Sequence, residues 1–290
     1  MKRARSFGVR GMNAEERAAV NPYLGHKVPM GGCSNSGAHD EFVGKDEALR
    51  TFMLSVYNYM MLGLLVTALA AFATYAVTVT GDPNLAALDE VGNAYLITQT
   101  EYLTELGAIL WFTPLSYAVC FGPLLVLLFA SAAFRDLAPG PTFVCYMIVA
   151  VLIGISFSSL ALTYTNGSIT RVFFITAASF GALSLFGYTT KKDLSGWGSF
   201  LWMGLFGLII SAIVNIFWQS DVLQFAVCSI GVIVFAGFTA YDTQMIRDAY
   251  SDKMDANTTK GLAINGALDL YLDFVNLFRF LMFFLGTSED

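Results

Sequence analysis

Two acids interrupt an apolar run that is otherwise long enough to cross a bilayer. The run extends from about Leu262 to Leu285, and the acids are Asp269 and Asp273. At the centre of a membrane helix an ionised carboxylate costs roughly 2.5–3.5 kcal/mol, so acids placed there need a partner or a function. Asn265, Asp269, Asp273 and Asn276 follow one another at intervals of 4, 4 and 3 residues, the period of a helix. At roughly 100° per residue they fill a stripe about 80° wide, with Arg279 close beside it. Such a stripe puts two carboxylates and two amides on one face. Those are too few oxygens to hold Ca²⁺, which takes six to eight, and no tightly bound metal is expected.

A third acid, Asp242, lies in Phe238-Thr-Ala-Tyr-Asp-Thr-Gln-Met-Ile-Arg247, at the end of the preceding apolar run. Two carboxyls brought together in a low-dielectric site cannot both ionise cheaply, so they share a proton and titrate as a coupled pair. A nearby guanidinium favours the doubly ionised form instead. Measured from the ends of the apolar runs, Asp242 lies roughly 7–8 Å deep and Asp273 roughly 16 Å. Spacing therefore permits an Asp242–Asp273 pair without requiring it.

The elements that must hold these residues are membrane helices. Hydrophobic residues make up 56% of the 290, charged residues 13%, and mean hydropathy is +0.61, whereas a soluble domain is about one quarter charged. Seven apolar runs stand at roughly 52–79, 108–134, 142–164, 170–189, 199–218, 222–247 and 262–285. The expected organisation is a polar tail over residues 1–44, without stable structure until Lys45, followed by a seven-helix transmembrane domain over 45–290. The linker from Gly81 to Gly107 carries Asp82, Asp89, Glu90, Glu101 and Glu105 but no Lys or Arg. Leu96, Leu103 and Leu106 suggest a short surface helix within it.

Basic residues are unevenly placed. Eight Lys/Arg fall in residues 1–50, and Arg135, Lys191, Lys192, Arg247, Lys253 and Lys260 fall in the even-numbered connections, leaving only Arg171 and Arg279 toward the other side. The positive-inside rule then puts the N-terminus in the cytoplasm and the C-terminus outside. Trp111, Trp197, Trp202 and Trp218 stand near run ends, where interfacial anchors belong.

Several functions are disfavoured. The four cysteines show no paired spacing and read as packing residues. No apolar run contains a lysine for a Schiff base or a histidine for intramembrane hydrolysis. The chain is therefore expected to be neither a retinal protein nor an enzyme, to carry no cofactor, and to bind no nucleic acid.

Four stretches are similar to those of a known family. They are Ala267-Leu-Asp-Leu-Tyr-Leu-Asp-Phe-Val-Asn-Leu-Phe278, Gly237-Phe-Thr-Ala-Tyr-Asp-Thr-Gln244, Arg50-Thr-Phe-Met-Leu-Ser-Val-Tyr-Asn-Tyr-Met60 and Thr189-Thr-Lys-Lys-Asp-Leu-Ser195. The chain from about Lys45 to Gly286 resembles the Bax inhibitor-1 family, in its bacterial branch. The resemblance implies an all-α membrane protein with six helices around a central C-terminal seventh, in the bacterial cytoplasmic membrane. It also implies a pH-sensitive calcium leak channel, with protons and Ca²⁺ or another cation as its partners in the bilayer. The family's paired aspartates fall on Asp242 and Asp273 and its latch arginine on Arg135; for such a channel, this chain's own polar stripe of Asp269, Asn265 and Asn276 is expected to line the ion path. Asp269 and the central position of Arg279 depart from the family pattern. The alternative is a non-conducting regulatory protein that binds other membrane proteins, such as a quality-control protease, through its N-terminal tail.

Overall fold

The computed structural model describes residues 36–88, 93–97, 101–116, 118–119, 122, 126 and 139–287. The chain divides into two units, Met1–Asp46 and Glu47–Asp290, and the site lies in the second. The main helices are α1 (Ser36–Thr78), α2 (Glu105–Phe112), α3 (Pro139–Thr163), α4 (Asn166–Thr189), α5 (Gly198–Trp218), α6 (Asp221–Ala249) and α7 (Ala256–Leu285). Five segments are long and apolar enough to cross a membrane: Asp46–Thr78, Pro139–Thr163, Asn166–Thr189, Ser195–Trp218 and Asp221–Ala249. The shortest have 24 residues, which at about 1.5 Å per residue exceeds a hydrocarbon core roughly 30 Å thick. The chain is thus an all-α membrane protein. α7, with 30 residues, is long enough too, but it carries Lys260, Asp269, Asp273 and Arg279. The expected run at 108–134 lies largely outside the described residues, as does most of the tail over 1–44.

One expectation is corrected. In the acidic linker, β1 (Val79–Thr80) pairs antiparallel with β2 (Tyr102–Leu103), Val79 opposite Leu103 and Thr80 opposite Tyr102. The described residues 93–97 around Leu96 are not helical; Leu103 is buried in the pairing and Leu106 belongs to α2. β-Branched and aromatic residues at the paired positions favour extended chain, and Asp82 caps a 3₁₀ turn at Pro83–Leu85. Gly107 lets α2 sit against the end of α1, since a Cβ there would be 2.6 Å from the Thr78 carbonyl oxygen.

Side-chain contacts fix the helix directions. On α1 and α3, Tyr146 donates to the Tyr59 carbonyl and Thr67 to the Ala150 carbonyl, so numbers rise together and the two helices run parallel. α4 and α6 are also parallel, through Ser184 with Thr243 and Tyr188 with Arg247. α7 runs against both: Phe180 stacks edge-on with Phe274, and Phe225 with Phe284.

The turns are built by short polar side chains. Thr165, Ser220 and Asp255 each accept a backbone N–H as the N-cap of α4, α6 and α7, which satisfies donors that the first helical turn leaves open. Between α5 and α6, Gln219 adopts the left-handed conformation with φ 48°. Asn215 holds this tight turn from both sides, donating to Gln224 and accepting from the Ser220 N–H. Small residues then let helices close up, as they do in membranes. A Cβ on Gly187 would collide with the Ala240 carbonyl oxygen, and one on Gly266 would lie 3.0 Å from Ile246.

Candidate functional site

The site is built on α7. Asp255 starts the helix by accepting from the Thr258 hydroxyl and from the N–H groups of Asn257 and Thr258. Those bonds, led by the Thr258 hydroxyl, hold the Asp255 carboxyl below the usual carboxylate range. At the other end, Thr287 donates to Ser168 Oγ and accepts from the Thr165 N–H, tying α7 to the start of α4. In between, Ala263, Ile264, Ala267, Leu270 and Tyr271 are almost completely enclosed. Asp273 belongs to this covered face and is only 4% exposed.

The α6–α7 register decides what Asp273 meets. Gly266 faces Ile246, Gly231 faces Phe280, and Phe235 packs on Phe280. Running antiparallel, these contacts bring the 270–273 turn opposite Asp242, and the two carboxyls lie within hydrogen-bonding reach of each other. Two carboxyls this close in a buried site cannot both ionise cheaply. Asp273 Oδ2 has no partner among the described residues. The apparent mismatch in depth disappears because helix ends are not level. With Ile246 opposite Gly266, the first two turns of α7 project beyond the end of α6.

The polar stripe is divided by this packing. Asp273 lies on its buried edge. Asp269 is exposed, Asn265 and Asn276 are half-buried, and Arg279 is exposed again. Asp269 is still near enough for its charge to act on Asp242 and Asp273. The Asn276 amide donates to the Leu272 carbonyl one turn back, so part of its capacity is used within α7. Among the described residues no three His, Cys, Asp or Glu converge as a metal site. Arg135, expected as the latch, lies outside the described residues.

Several residues around the pair had no motif to announce them. Gln244, two residues after Asp242, is buried; its Oε1 accepts from the Leu194 N–H at 2.7 Å and its Nε2 donates to the Lys192 carbonyl at 2.8 Å. Arg247 donates to the Tyr188 and Thr190 carbonyls. Together they strap the 190–194 loop to the end of α6. In that loop the Ser195 N–H, helped by the Ser195 hydroxyl, keeps Asp193 below the usual carboxylate range. Tyr271, two residues before Asp273, shares a 2.6 Å hydrogen bond with Thr67 of α1. The only hint of these roles was polarity: Gln244, Arg247 and Tyr271 fall in the same two stretches as the acids.

Comparison with known proteins gives a consistent result. Residues 49–290 match the family model described as inhibitor of apoptosis-promoting Bax1. An uncharacterized protein of Caulobacter vibrioides is 42% identical over 84% of this chain and 92% of its own length. Inner membrane protein YbhL of Escherichia coli is 39% identical over 86% of this chain and 97% of its own. A membrane protein of Streptococcus pyogenes is 27% identical over 87% and 99%.

Proposed function

From a chain that belongs to the Bax inhibitor-1 family, we propose a multi-pass bacterial membrane protein that leaks Ca²⁺ or a similar cation under proton control. The observation that carries the reading is the buried Asp273 meeting Asp242 across the α6–α7 interface, with the exposed Asp269 one turn away. In this reading seven helices cross the membrane, with α7 at the centre of the other six.

The chemistry follows from charge. While one proton is shared, the carboxyls hold α6 and α7 together by a charge-assisted hydrogen bond. When it leaves, two like charges face each other where the dielectric is low, and repulsion is strong. Each proton exchanged changes the charge between α6 and α7 by one, and the seating of α7 with it. Asp269, Asn265 and Asn276 then offer a cation a succession of oxygens on the less covered side. With so few oxygens the ion is passed on and not retained.

Cation uptake into proteoliposomes across pH tests this reading. Wild-type flux varies with pH, and Asp242→Asn and Asp273→Asn each flatten the profile. Asp269→Asn lowers flux and leaves its pH dependence in place. Wild-type vesicles that conduct at no pH overturn the channel and favour a protein that acts by binding other membrane proteins.

A further inference from the structure

A second feature, independent of the acids, lies on the outside of the bundle. α1 and α4 run antiparallel and leave between them a groove of about 700 Å³, within the roughly 300–1,000 Å³ of pockets that hold small molecules. One end is formed by Arg50 and Tyr188, the other by Leu64 and Phe173. At about 1.5 Å per residue, Arg50 to Leu64 is roughly 21 Å. That is a little more than one leaflet of a hydrocarbon core about 30 Å thick.

The groove's polar groups select its occupant. Thr243 donates its hydroxyl proton to the Thr239 carbonyl at 2.7 Å. It must therefore accept from Ser184, 3.0 Å away, and Ser184 must accept from Tyr57, 2.7 Å away. Every hydroxyl in this chain spends its proton inward, so the middle of the groove has no donor left for a polar ligand. The rest of that stretch is Met, Leu, Phe, Ala and Gly181. Charge is confined to the Arg50 end. The one ion pair among the described residues is Arg247 with Asp248, so Arg50 has no carboxylate partner there.

We propose that the α1–α4 groove binds one anionic phospholipid, its headgroup on Arg50 and one acyl chain lying along Met53, Met60, Leu64 and Phe173. A cation at the headgroup level and an apolar trough reaching the middle of the bilayer match that molecule at both ends. The occupied groove lies against Tyr57 and Ser184, whose hydrogen bonds run to Thr243 beside Asp242, so the lipid sits one relay away from the carboxyl pair.

The test uses the full chain in vesicles containing phosphatidylglycerol with a photoactivatable diazirine in its acyl chain, with labelled peptides mapped by mass spectrometry. The exposed outer face of α5, with Phe200, Phe206 and Phe217, reports ordinary surrounding lipid. Label should concentrate on the groove segments of α1 and α4 over α5. Unlabelled phosphatidylglycerol should compete for the groove about fivefold better than phosphatidylcholine, the preference expected of one basic side chain at a lipid surface. Arg50→Gln should abolish that preference. Gly181→Leu should reduce groove label to the α5 level while α5 labelling stays constant, because a Cβ on Gly181 meets nothing within 4 Å and the new side chain fills the groove without displacing a helix. Equal labelling of groove and α5 in the wild type, or a groove signal unchanged by Gly181→Leu, overturns the proposal. An unlabelled groove with cross-links between copies overturns it in favour of a helix from a second copy.

Discussion

Asp269 and Asp273 stand one turn apart on the same helix, yet they differ in how much of the side chain is covered. Asp273 is enclosed against α6 and faces Asp242, whereas Asp269 is exposed. Forty degrees of helix rotation separates them, which is enough to move a side chain from a helix interface to its margin. Gln244 makes the same point about neighbours. Removing its amide would leave the Leu194 N–H and the Lys192 carbonyl without the partners they have now. A buried group left unsatisfied costs about 1–3 kcal/mol. Gln244→Ala should therefore lower the thermal midpoint in detergent, whereas Gln224→Ala, in the partly exposed first turn of α6, should lower it less. Equal losses would show that the strap on the 190–194 loop adds nothing. Asp242 could be found from sequence because a charge in an apolar run is conspicuous. Gln244 could not, because a neutral amide near a helix end is ordinary until its two backbone partners are known.

At the level of elements, α7 depends on how it begins. Its N-cap Asp255 is exposed and carries three hydrogen bonds, and these favour the ionised form. A carboxyl held lower in the folded chain than its unfolded value of about 3.9 contributes stability above that value and loses it as pH falls through the folded value. Asp255→Ala should therefore melt a few degrees lower than wild type near neutral pH, with the difference closing below about pH 3.9. Melting curves at neutral and acid pH check this, and a gap that persists undiminished in acid would refute it. The helices themselves were readable from hydropathy, since an apolar run in a bilayer must satisfy its own backbone. Their ends were less so. α7 starts six residues before the apolar run at Leu262 because Asp255 and Thr258 supply a cap that hydropathy does not register. The β1–β2 pairing at 79–103 was missed for a related reason: it joins residues more than twenty positions apart, and only local period was available.

At the scale of the molecule, the helix directions place one end of α1 with the far ends of α4 and α6 and the start of α7. That end carries Arg50, Lys191, Lys192, Arg247 and Lys260, the asymmetry expected of a cytoplasmic face. Single cysteines in a background with the four native ones replaced test this. Asn84→Cys, beside β1, should react with a membrane-impermeant maleimide in intact spheroplasts. Gly196→Cys, in the turn between α4 and α5, should react only after permeabilisation. The reverse pattern would invert the topology and place the Arg50 end of the lipid groove in the outer leaflet.

Composition and period alone determined that this chain is helical and membrane-embedded, and that acids and amides share one narrow stripe of its last helix. Those properties are local: each depends on the residue, its neighbours within a turn and the hydrocarbon around them. Which acid is enclosed, which faces its partner and which remains open depended on the α6–α7 register. That register is set by Gly266 against Ile246 and by the aromatic contacts of Phe280. Contacts between distant residues decide it, and no period along a single helix contains that information.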